Sequence, residues 1–246
     1  MSYPSPNRSF PSGRGRRLAA GDRARVVLLA STVVTFLLYV VPYGEYLAYP
    51  LLLLSTLAHE MGHGLTAILV GGSFHRFLMW PDGSGVAVWS GEPSRLRMAT
   101  VAFGGLVGPA VAAALGFIAG RTPRGARAAL WLLVVTLALS LLFVVRNSFG
   151  ILFVALLGLA LLLVAKRGSA EVIQLVLVFL ALQLALSVFS RADYLFTPVA
   201  RTSEGVMPSD VAQIADALFL PYWFWGGLCA GFSILVLILG LRSYWR

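Results

Sequence analysis

Seven long apolar runs, separated by short polar breaks, constrain this chain more than any other feature of its sequence. They lie at about 25–43, 47–71, 97–119, 127–145, 149–165, 171–191 and 222–241. Uninterrupted apolar runs of about 18 residues or more have the length of bilayer-spanning helices. Of the 246 residues 59% are apolar and 12% are charged. A water-facing surface would need more charge, since about 25% is usual in soluble domains. The expected fold is therefore an all-α polytopic integral membrane protein with about seven transmembrane helices. The segment 127–165 is too long for one crossing, and Arg146-Asn147-Ser148 supplies the break.

Between the second and third runs the pattern changes. Phe74 to Trp80 and Val86 to Trp89 are rich in aromatic and β-branched residues, on either side of Pro81-Asp82-Gly83. That composition predicts a short β-hairpin between helices two and three, at the membrane surface. Residues 1–24 are rich in Ser, Pro, Gly and Arg and are expected to form a disordered basic tail. Residues 25–246 then make one membrane-embedded domain. The first run ends in Pro42-Tyr43-Gly44-Glu45 without a small-x-small cleavage site, so it is expected to stay attached.

The formal charge of +9 does not point to nucleic acid, which is excluded as a partner by where the charge sits. The basic residues lie in the tail and between apolar runs, the placement that orients membrane proteins rather than the one that builds a basic groove. With the tail inside, the inner segments carry twelve Lys and Arg and the outer ones seven, which favours a cytoplasmic N-terminus. Lys166 is the single lysine beside eighteen arginines, a bias expected of a GC-rich bacterial genome and hence of a bacterial cell membrane. Cys229 is the single cysteine, which leaves no disulfide framework or thiolate cluster.

One motif carries chemistry: His59-Glu60-Met61-Gly62-His63, within the second run. Residues i and i+4 share a helix face, so two imidazoles there can grip one zinc ion. The Glu at i+1 projects beside them, where it can act as general base on water. A lone histidine in an apolar helix is usually a helix contact. Two histidines and a glutamate buried in a membrane, however, cost several kcal/mol (roughly) unless something binds them. A catalytic zinc needs a third protein ligand and an open position. The candidates are His75, Asp82, Glu92, Glu171, Asp193, Asp210 and Asp216. Depth sorts them: helix six runs in the direction of helix two, which puts Asp193 on the side of the motif and Glu171 on the other. Asp210 follows Pro208-Ser209 and reads as a helix cap. Asp82 reads as turn chemistry. Asp193 is the expected third ligand.

Two further features fall on the same side. Gly104-Gly105-Leu106-Val107-Gly108-Pro109 suits close helix packing, with an opening for an extended substrate strand as the sharper alternative. Asn147, at the break between helices four and five, is a candidate donor to a substrate carbonyl or oxyanion, although loop polarity also accounts for it.

The His59-Glu60-x-x-His63 helix, the hairpin after it and the glycine-rich third helix resemble the site-2-protease group of intramembrane zinc metallopeptidases. The closer likeness is to the divergent site-2-protease-like branch of bacteria and plants. Pro81-Asp82, Arg146-Asn147 and Ser190-Arg191-Ala192-Asp193 match its turn, its inter-helix pair and its late acidic residue. The resemblance implies hydrolysis of transmembrane or membrane-associated protein substrates in the lipid bilayer, with two His and one Asp on a single zinc. Two rivals from other classes are a non-proteolytic metal-binding scaffold or regulator and, on weaker grounds, a transporter. A transporter site usually needs broken helices, and the motif lies in an unbroken run. Glu60 separates an enzyme from a scaffold.

Overall fold

The computed structural model describes residues 20–203 and 205–245. In chain order its elements are α1 (Ala20–Val40), α2 (Gly44–Leu69), β1 (Ser73–Met79), β2 (Gly85–Ser90), α3 (Arg95–Gly120), α4 (Pro123–Phe143), α5 (Ser148–Arg167) and α6 (Ala170–Ser190). A 3-10 turn (Ala192–Phe196), β3 (Val199–Thr202), β4 (Gly205–Pro208), α7 (Asp210–Leu218) and α8 (Tyr222–Trp245) complete it. Residues 1–19 of the basic tail lie outside the described residues, and α1 begins at Ala20, inside the segment assigned to that tail.

Among the described residues, α3, α4, α5, α8 and α6 with its 3-10 extension are long and apolar enough to cross a membrane. Helix α1 adds a shorter apolar stretch, Arg25–Leu38. The seven expected crossings thus become five of full length and one short. The seventh, α2, is long enough but carries Ser55, Thr56, His59, Glu60, His63 and Thr66 along its inner half. The chain is a mostly helical, multi-pass membrane protein. Local chemistry marks where its helices start. Ser94, Thr122 and Ser169 each accept a backbone N–H from the first turn of α3, α4 and α6, and Pro123 follows Thr122 where its missing donor costs nothing.

Helix α3 is the hub and packs against α2, α4, α6, α7 and α8. Small residues make this possible. A Cβ on Gly108 would stand 2.8 Å from the Ala58 carbonyl oxygen, and one on Gly104 would strike the Thr66 side chain. Gly104 and Gly108 therefore serve close packing against the motif helix, the simpler of the two expectations.

The first hairpin forms between α2 and α3 with Met79 opposite Gly85 and Ser73 opposite Ser90, and a bulge between Phe74 and Arg76. It forms where the aromatic segments predict it, between the second and third helices. It runs back alongside α2, where the Tyr49 hydroxyl donates to the Pro81 carbonyl at 2.6 Å and the Thr56 hydroxyl to that of Gly83 at 2.7 Å. A hairpin among apolar helices must satisfy its edges internally. On β1 the link between α4 and α5 does so: Phe77 N–H donates to Val144 O at 2.7 Å and Arg146 N–H to Phe77 O at 3.1 Å. The Asn147 side chain continues the ladder, accepting from Met79 N–H at 3.2 Å and donating to Met79 O at 2.5 Å. A second hairpin, β3–β4, was not anticipated. Ser203 at its tip donates to Asp82 Oδ2 at 2.8 Å, joining the two turns.

Candidate metal centre

The helical period of α2 brings His59 and His63 onto one face. Their rings meet edge to face with centroids 4.7 Å apart, and their Nε2 atoms are 3.2 Å from each other. The third group comes from α7. Asp210 is the first residue of that helix, and Ser209 takes the capping role by accepting from Ala212 N–H at 3.3 Å. The Asp210 carboxylate is thereby free to point at the imidazoles, with Oδ2 3.0 Å from His59 Nε2 and Oδ1 3.3 Å from His63 Nε2. Glu60, His63 and Asp210 are buried, and His59 nearly so.

His59, His63 and Asp210 form the one group among the described residues able to hold a metal ion, their ligand atoms all within 4.8 Å of one another. The donor set fits such an ion. Ligand bonds of about 2.0–2.1 Å in tetrahedral array place adjacent donor atoms about 3.3 Å apart, close to the spacings here. The outer contacts fit as well. His63 Nδ1 lies 2.9 Å from the Val101 carbonyl, which can only accept, so Nδ1 carries the proton and Nε2 presents a lone pair. The Tyr194 hydroxyl donates to Asp210 Oδ2 at 3.3 Å, and its ring stands edge-on to His59.

Asp210, rather than the expected Asp193, is the carboxylate that the structure brings to the histidines. Helix α6 stops at Ser190, and the 3-10 turn that follows leaves Asp193 exposed while burying Leu195. Asp193 lies outside the metal-binding group, and its backbone carbonyl accepts from the Thr197 hydroxyl. Asn147 is likewise engaged elsewhere, with both ends of its amide bonded to Met79. Of the other candidates, His75 pairs with Ser90 Oγ at 2.6 Å on the exposed side of the hairpin, and Asp216 is exposed on α7. Asp82 accepts from the Ser84 hydroxyl and N–H within its turn and from Ser203, and these bonds lower its pKa. Tyr194 was missed, having no sequence signal beyond its nearness to the end of the sixth run.

Glu60 is placed by the first hairpin. The backbone of Ala87 on β2 lies beside its carboxylate. A Cβ on Gly85 would approach Glu60 Cγ to 2.8 Å and Oε1 to 3.1 Å, so only glycine leaves this room. On α3, a Cβ at Gly105 would strike the His63 ring. A cavity of about 360 Å³ opens beside these groups, lined by Thr56, His59, Glu60, Arg191 and Tyr194 among others. Buried carboxylate, imidazole pair and adjoining space together suit metal-assisted hydrolysis.

A family model described as Peptidase M50B-like matches residues 29–240 of this chain. No curated protein and no solved structure matches it.

Proposed function

The chain belongs to the Peptidase M50B-like family, and on that premise we propose that it is a zinc-dependent intramembrane endopeptidase acting on membrane-associated protein substrates. His59, His63 and Asp210 would hold one zinc, and Glu60 would be the general base. The observation that carries this reading is the Asp210 carboxylate reaching both Nε2 atoms while Glu60, the neighbouring residue, faces the same cavity. A bound zinc supplies Lewis-acid polarisation of a carbonyl and lowers the pKa of water towards about 7.

The residues of the chain account for the rest. Val101 and Tyr194 keep His63 and Asp210 in the orientation that turns their lone pairs inward. Glu60 takes a proton from the attacking water and passes one to the leaving amine. Gly85 lets the first hairpin pack against the Glu60 side chain without filling the space in front of it. A helical substrate must unwind locally to expose its bond, because helical carbonyls are already hydrogen-bonded. The setting proposed is a bacterial cell membrane with the N-terminus in the cytoplasm.

Glu60→Gln tests the reading. The variant should retain zinc and lose turnover of a membrane-embedded substrate; cleavage at the wild-type rate would exclude Glu60 as the general base and with it this mechanism.

A further inference from the structure

Helix α6 ends at Ser190, and the next residue, Arg191, turns its side chain into the cavity beside the His–Asp group. Its Nη2 donates to Thr56 Oγ1 at 3.0 Å. Thr56 in turn donates to the Gly83 carbonyl, so its hydroxyl is held in place. A guanidinium has five N–H donors, and among the described residues that of Arg191 makes no other hydrogen bond and no ion pair. Glu60 and Asp193 act on it through space without bonding to it. A half-buried cation with most of its donors unmatched is unusual, since buried polar groups are normally bonded. Arg191 also lines the neighbouring crevice between α1, α2 and α6, and so stands where the two spaces meet.

Resting on the peptidase reading above, we propose that Arg191 binds a substrate carboxylate close to the scissile bond. The planar guanidinium fork matches the two oxygens of a carboxylate, and its charge calls for the opposite one. Thr56, which anchors it, precedes His59 and Glu60 by about one helical turn, or ~5.4 Å. An extended peptide advances about 3.3–3.6 Å per residue, so a carboxylate one or two residues from the cleaved bond reaches Arg191. It can belong to an Asp or Glu side chain, or to the free C-terminus of a substrate already cut once.

Three fluorescent decapeptides of Leu and Ala separate these sources: one capped at both ends, one capped with a central Glu, and one with a free C-terminal carboxylate. Binding is measured to the zinc-loaded full chain carrying Glu60→Gln, in lipid nanodiscs. One of the charged peptides should bind about tenfold or more tighter than the neutral one, which names the source. Adding Arg191→Gln, which still offers an N–H to Thr56, should abolish that difference, and Arg191→Lys should keep part of it. Equal binding of all three peptides to the Arg191 protein would overturn the proposal, as would a uniform loss in Arg191→Gln. The peptidase reading is judged separately with Glu60 intact. Charge-dependent binding without cleavage would sink that reading and leave the Arg191 site standing. Cleavage without charge preference would do the reverse.

Discussion

Replacing Asp210 by Ala removes one of three side chains whose ligand atoms lie within 4.8 Å of one another and leaves two imidazoles one turn apart. Loss of even an outer hydrogen-bond partner of a metal ligand weakens binding about 10–100-fold. Loss of the ligand itself, with its negative charge, should therefore exceed about 100-fold, or roughly 2.8 kcal/mol at 1.4 kcal/mol per decade. At free zinc buffered to 100 times the wild-type Kd, the wild type would be about 99% occupied and Asp210→Ala below about 50%. The fold should tolerate the change, because Ser209 rather than Asp210 caps α7. The assay is zinc content of purified protein after equilibration in a zinc buffer, with Asp193→Ala alongside. Asp193 is exposed and outside the group, so its variant should load like the wild type. An empty Asp193→Ala together with a loaded Asp210→Ala would refute the assignment.

Three other perturbations probe the support around the site. Asn147→Ala deletes both bonds to Met79 and should cost about 1–3 kcal/mol of stability. Turnover should fall while zinc content holds, and loss of zinc would contradict a role confined to the hairpin. Gly105→Ala drives a methyl group into the His63 ring, with an expected penalty of about 1–3 kcal/mol visible in thermal unfolding and in reduced zinc content. The Asp82 carboxyl is held below its ordinary range chiefly by Ser84, so its folded pKa lies under its unfolded one. Its contribution is therefore present above the unfolded pKa and lost as pH falls through the folded value. Hydrogen exchange at residues 199–208 should rise across that acidic window, and Asp82→Asn should flatten the response.

What could be read from the sequence was local. Apolar run length marked the helices, and the aromatic segments around Pro81-Asp82-Gly83 marked the first hairpin, because both follow from nearest-neighbour chemistry. The facing of His59 and His63 follows from the helical period in the same way. The approach of Asp210 does not. It depends on how α7 packs against α3 and α8 after an unforeseen second hairpin, a contact between segments about 150 residues apart. A clue was nonetheless present. Ser209 and Asp210 are both competent caps, and only one is needed, so the second was free for another task. Asn147 misled for the opposite reason: its polarity at a break suggested a free donor, whereas the hairpin passing beside it needed both of its amide groups.

The four bonds that tie β1 to Val144, Arg146 and Asn147 make the connection between α4 and α5 intolerant of any change in its length. An inserted or deleted residue there would shift every partner by one position and reverse which groups face the strand. The displacement would pass through β1 to Gly85 on β2, and so to the side chain of Glu60 packed against it, more than eighty residues earlier in the chain. A four-residue loop on the far side of a hairpin is in this sense as restricted as the motif itself.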